Sequence, residues 1–137
     1  MKAVQKIIDL NGGIENLIPG ESYIRIENEP YMRLVIECIG KGPRGLPAIS
    51  VAHYYSQNGD SMRDPEMVFE VLNRKWYPIS FQQDGGVGFF QEAVYETDKK
   101  ICIRPPIVKE LTAFSRVWDR NIKEQGFIEA FINQKDV

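Results

Sequence analysis

Metal-ligating and redox residues are scarce in this chain. It has two cysteines, Cys38 and Cys102, and one histidine, His53, among 137 residues. There is no CxxC pair, so a zinc site of the usual Cys/His kind lacks its ligands, and no metal or cofactor is expected. The two thiols read as reduced, buried or half-buried cysteines of a cytosolic protein. No apolar run approaches the ~20 residues that cross a bilayer, so no membrane partner is expected. The opening MKAVQKIIDLNGG carries charge throughout and lacks the apolar core of a secretory signal. Excess charge of one sign is missing too. The net charge is −2, with acids and bases interspersed, which excludes a polybasic tail or membrane anchor. Internal repeats, low-complexity stretches and linkers are absent. A bacterial or phage cytoplasm is the expected location.

What the chain does have is apolar and aromatic material. Hydrophobic residues make up 43% of it, with seven Phe, six Tyr and two Trp. A chain of this length buries roughly 65–70% of its unfolded surface, enough for one domain over residues 1–137 without metal or disulfide support.

Val4, Ile7 and Ile8 recur at helical spacing, and Asn11-Gly12-Gly13 stops that helix. Alternating segments follow. Ile24 and Ile26 alternate with Tyr23, Arg25 and Glu27. Met32, Leu34, Ile36 and Cys38 alternate with Arg33 and Glu37. Ile49, Val51, His53 and Tyr55 share one phase. Met67, Phe69 and Val71 share a face, with Glu66 and Glu70 opposite. A tight loop at Asn73-Arg74-Lys75 pairs Val71 with Tyr77, Phe69 with Ile79 and Met67 with Phe81. Polar turns are expected at 58–65 and at Gln82 to Gly86, the latter leading into a strand over 89–96. In that strand two inward phases stay open, Phe89/Ala93/Tyr95 and Phe90/Val94.

Pro105 and Pro106 open the last long element. Val108, Leu111, Phe114, Ser115, Val117, Trp118 and Ile122 form its apolar stripe, and Gly126 ends it. Phe127 to Ile132 is a short amphipathic coda. The expected fold is therefore α+β: an antiparallel meander sheet of about six strands, covered by an N-terminal helix and a long C-terminal helix.

A meander places turns 28–30, 58–65 and 84–87 at one end of the sheet. Asp60, Arg63, Asp64 and Glu66 then approach Gln82, Gln83 and Asp84, a polar cluster suited to a basic peptide, a polar ligand or a divalent cation. The same residues are those that turns demand, and Arg63 beside Asp64 also reads as an ordinary surface ion pair. Asp60 and Asp64 do not fit a calcium loop, and Gly85-Gly86-Val87-Gly88 lacks the GK[ST] of a phosphate loop. His53 sits in an apolar phase with no partner in view for general-base work. No serine has GxSxG context. Lys100, Arg104, Lys109, Arg116, Arg120 and Lys123 form a basic run along the C-terminal helix, either a solvated face or a phosphate-binding one.

The strings NGDSMRDPEMVFEV (58–71), KWYPISFQQD (75–84), QEAVYE (91–96) and RPPIVKELTAFSRVWDRNIKEQGF (104–127) resemble a bacterial domain family of unknown function. That family occurs on plasmids and conjugative elements and inside large polyvalent mobile-element proteins. The resemblance covers about residues 50–127. It transfers no catalytic residue, and implies an accessory product of a mobile element.

Three functional classes follow. The first is a non-enzymatic interaction module, binding a protein or, less favoured, a nucleic acid. The second is a metal-assisted hydrolase using Asp60, Asp64, Glu66 and Asp84. The third is a nucleic-acid binder acting through the last long helix. Self-association through strand edges and the Phe127–Phe131 tail is an accompanying expectation.

Overall fold

The structure, a computed structural model, describes residues 1–135. Helix α1 spans Lys2–Leu10 and buries Ala3, Val4, Ile7 and Ile8, the stripe its spacing dictates. Six strands follow: β1 (Tyr23–Asn28), β2 (Tyr31–Lys41), β3 (Pro47–Gln57), β4 (Asp60–Leu72), β5 (Lys75–Gln83) and β6 (Phe89–Glu92). They form one antiparallel sheet in the order β1-β2-β3-β4-β5-β6, the sequential meander. A separate hairpin, β7 (Val94–Thr97) with β8 (Lys100–Ile103), precedes helix α2 (Pro105–Glu124) and helix α3 (Phe127–Lys135). The fold is α+β, and no helix is long and apolar enough to cross a membrane.

One face of the sheet carries the core. Ile24, Ile26, Leu34, Ile36, Ile49, Val51, Met67 and Phe69 lie at 3% exposure or less, under Leu111, Trp118 and Ile122 of α2. Trp118 is 5% exposed, so the long helix does roof the sheet. Phe127 and Phe131 are equally buried, at 0% and 2%. The coda is thus a core helix, with Phe127 and Phe131 facing inward and Ile132 exposed at 41%.

Three local expectations need correction. The stretch 58–65 is not a long turn. Asn58 and Gly59, both at positive φ, make a two-residue turn, and β4 begins at Asp60. Likewise Asn73 and Arg74 alone, both at positive φ, make the next turn, and Lys75 already pairs with Leu72. Near that turn the register is therefore Val71 with Trp76 and Phe69 with Pro78; a bulge then restores the expected Met67–Phe81 pair. The tight turn puts Trp76 inward against Phe69, with ring centroids 5.4 Å apart, and leaves Tyr77 exposed, while the bulge returns Ile79 and Phe81 to the core. Finally, 89–96 is two strands. Ala93 breaks it, donating to Ile79 O and accepting from Arg104 N. Ala93 and Val94 are both buried, so neither single phase holds.

Candidate functional site

The face of the sheet away from the helices is polar, and the strand register sets its rows. Glu37, Ser50, Val68, Ser80 and Glu92 lie side by side. Val35, Ala52, Glu66, Gln82 and Phe90 form the next row, and Arg33, Tyr54 and Arg63 the one beyond. Small residues at Ser50 and Ala52 leave the floor of β3 low, while charged side chains rise from its neighbours.

Of the seven residues expected to cluster, Arg63, Glu66, Gln82 and Asp84 join in one network, while Asp64 and Gln83 form a separate pair. Arg63 holds Asp84 through Nε–Oδ2 at 2.7 Å and Nη2–Oδ1 at 3.0 Å, and its backbone N–H also donates to Oδ2 at 2.9 Å. Gln82 donates to Asp84 at 3.4 Å, and Gln83 donates to Asp64 at 2.9 Å. Glu66 takes a 2.7 Å hydrogen bond from buried Ser50 and stands 3.5 Å from Arg63. Asp60 stays apart: it is exposed and pairs across the strands with Gln57. All but Asp84, which follows β5, belong to strands rather than turns, because β4 and the end of β5 run antiparallel and place Glu66 opposite Gln82.

The electrostatics follow from those contacts. The Arg63 guanidinium and backbone hold Asp84 below the usual carboxylate range, and Asp84 in turn raises Arg63. Burial, then the neighbouring Glu66, pushes Glu37 up. Burial, then Glu66 and Glu37, also raises Tyr54. Arg33 lies over the Tyr54 ring at 5.3 Å and donates to Ser61. Alternation in the sequence already put Arg33 and Glu37 on the polar phase of their strand. Their neighbours Tyr54 and Ser50 needed the β2–β3 register to be found.

No three His, Cys, Asp or Glu side chains group closely enough among the described residues to hold a metal ion. Asp60, Asp64, Glu66 and Asp84 therefore do not form the ligand set that metal-assisted hydrolysis needs. Their hydrogen bonds go instead to Arg63, Gln82, Gln83 and Ser50.

The basic run divides. Lys109, Arg116, Arg120 and Lys123 are exposed on α2, and none forms an ion pair among the described residues. Arg104 is engaged, donating to Glu92 O at 3.1 Å and lying over the Tyr95 ring at 4.4 Å. Lys100 is exposed on the β8 side of the hairpin turn.

Two buried polar residues escaped sequence reading as partners. Glu70 has a fully buried side chain and accepts from Arg44 Nε at 2.7 Å, Arg44 N at 3.0 Å and Leu46 N at 3.2 Å. It pins the 42–46 loop. His53 has Nδ1 at 3.1 and 3.3 Å from the Met32 and Arg33 carbonyls, between the rings of Trp118 and Phe127.

A six-stranded meander with helices on one face and a charged network on the other defines an α+β domain with one open polar surface. The chain belongs to a family of domains of unknown function, DUF6908, whose match runs over residues 2–128. That match takes in the N-terminal third, where the sequence strings alone carry no resemblance. No curated protein and no solved structure matches the chain.

Proposed function

We propose that this domain is a non-enzymatic interaction module that docks a protein partner on the open face of the sheet. The observation that supports this reading is the Arg33–Tyr54–Arg63 row beside Glu66, Gln82 and Asp84. It is a pre-ordered, half-exposed set of donors and acceptors with no nucleophile–base pair among them. Arg and Tyr are residues that protein interfaces favour, and fixed side chains lose little entropy on docking. The resemblance of the 58–71 and 75–84 strings supports the setting: an accessory product of a bacterial mobile element, acting in the cytoplasm. A second copy of the chain is one candidate partner, since edge strand β6 exposes Phe89 and Phe90.

The test is affinity capture from the native host with mass spectrometry. It compares wild type with the charge reversals Arg33→Glu and Glu66→Lys. A protein retained by wild type and lost from both variants, with circular dichroism unchanged, is expected. If wild type and both variants retain the same proteins, the open face is not the docking surface.

The exposed, unpaired bases of α2 favour a second reading, phosphate-backbone binding through Lys109, Arg116, Arg120 and Lys123. Fluorescence anisotropy at two ionic strengths separates the two. A nucleic-acid binder loses affinity steeply with salt, and absence of binding at low salt ends this reading.

A further inference from the structure

The open face of the sheet is not flat. Toward the end where β2 turns into β3 it carries a groove of about 380 Å³. The floor is Val68 and Ser80, from the row that also holds Glu37 and Glu92. Ile39 and Pro43 stand on one side, and Val94 and Tyr95 of the β7–β8 hairpin on the other. Both walls are fixed. The 42–46 loop lies directly on Glu70, whose carboxylate it binds, and a Cβ on Gly42 would stand 2.4 Å from Glu70 Cγ. Across the groove, Arg104 donates to Glu92 O and, through its backbone N–H, to Ala93 O, and it lies over the Tyr95 ring. Walls already in place lose little entropy when the groove is filled.

Two features select an occupant. One is apolar surface: Ile39 is 53% exposed and lines the groove with Val68 and Val94, an aliphatic strip facing water. The other is charge. Glu92 and Glu96 line the groove and Glu37 stands in its floor row, and none of the three forms an ion pair among the described residues. Lys41 is the one cation in the lining, since Arg44 is taken by Glu70 and Arg104 does not line the groove. Burial, then Glu66, raises Glu37 with no cation offsetting them, and an approaching cation would relieve both effects.

We propose that this groove seats an extended segment of the partner protein that carries aliphatic residues on either side of an arginine or lysine. The proposal rests on the reading that a protein docks on the open face, and adds the chemistry of what docks. Alternate residues of an extended chain face one way, so aliphatic, basic and aliphatic residues at every second position form a single edge. The aliphatic side chains cover Ile39, Val68 and Val94, and the cation pairs with Glu92 and Glu96. An acidic segment or a nucleic-acid backbone would meet unpaired carboxylates of its own sign.

The probe is a heptapeptide blocked at both ends, Ser-Val-Ser-Arg-Ser-Val-Ser, titrated into the full-length chain and followed by amide NMR. One control peptide replaces its arginine by glutamate, and another replaces both valines by serine. Saturable shifts at residues 41–43 and 92–96 are expected with the arginine peptide, and binding about tenfold weaker or less with either control. Glu92→Gln combined with Glu96→Gln removes two charges from half-exposed and exposed positions. It should weaken the arginine peptide about tenfold and flatten its salt dependence. No saturable shift at millimolar peptide overturns the proposal. So does equal binding of either control, or an unchanged affinity in the double variant. The three wild-type titrations decide the matter even if that variant does not fold. The broader reading fails separately, when Arg33→Glu and Glu66→Lys retain the same captured proteins as wild type. Loss of a captured protein from those two variants, with no peptide binding, leaves open-face docking standing and strikes only this occupant.

Discussion

The carboxylate of Asp119, on α2, accepts hydrogen bonds from the backbone N–H of Ala3 at 3.1 and 3.2 Å, and Oδ1 also lies 3.4 Å from Val4 N. Helix α1 has no side-chain cap of its own and no acidic residue in its first turn. Asp119 supplies both from 116 residues away, satisfying orphan N–H groups and facing the positive end of the helix dipole. In the sequence this residue reads only as a charge diluting the basic run on α2.

Asp119→Ala should therefore destabilise the fold by about 1–2 kcal/mol, the usual range for losing a cap. Asp119→Asn keeps an acceptor and should lose less. Urea denaturation gives the stability, and amide hydrogen exchange should localise the loss to α1. Unchanged exchange at residues 3 to 5 would show that the contact is idle.

The Arg63–Asp84 pair is bidentate but partly exposed, with 34% and 19% of the two side chains accessible. Its coupling should be about 0.5–1 kcal/mol in a double-mutant cycle with Arg63→Ala and Asp84→Ala. Because Asp84 titrates below its ordinary 3.8, its contribution is present above that pH and is lost as pH falls through the folded value. A coupling that persists undiminished at pH 2 would contradict the assignment.

His53 should titrate below its ordinary 6.5, because burial outweighs the two carbonyl contacts and the charge of Asp64. The sign is that of a depressed group: its contribution is complete above pH 6.5 and is lost as pH falls through the folded value. Proton NMR of the single imidazole reads this directly. A midpoint at or above 6.5 would mean the ring is solvated. Glu37 acts in the opposite sense, since its raised pKa favours the fold below its ordinary 4.5 and disfavours it as pH rises through the folded value.

Glu70→Ala removes the acceptor for two loop N–H groups and the Arg44 side chain at a fully buried position. A loss of about 3 kcal/mol is expected, measured by thermal or urea unfolding. Stability within ~0.5 kcal/mol of wild type, the usual range for surface mutations, would show that the loop holds itself.

A chain ending at Gly126 lacks Phe127 and Phe131, each worth about 3–5 kcal/mol by analogy with Phe→Ala in cores. Against a total of roughly 5–15 kcal/mol, that chain should lose its fold. Far-UV circular dichroism and light scattering would show this, and a native-like spectrum would remove α3 from the core.

Alternation and helical spacing made most of the architecture legible. The Met32–Cys38 and Met67–Val71 phases, the Leu111–Ile122 stripe and the glycine stops are local patterns, and local physics reads them. The approach of Arg63 to Asp84 was also accessible, because consecutive antiparallel strands must bring those ends together. Turn lengths at Asn58-Gly59 and Asn73-Arg74 were less so. Non-glycine residues at positive φ are rare, and Asn58, Asn73 and Arg74 all adopt it where the strands on either side close tightly.

By itself the sequence determined which residues face apart along the regular stretches of strand and helix, since side-chain direction there follows from backbone period alone; the bulge in β5 and the break at Ala93 interrupt that period. Only the tertiary structure decided the pairings across elements. Asp119 of α2 bonded to α1, Glu70 of β4 bonded to the 42–46 loop, and His53 between Trp118 and Phe127 all join segments far apart in the chain. A polar side chain announces that it needs a partner, but the partner is chosen by whichever segment the packing brings within hydrogen-bond reach.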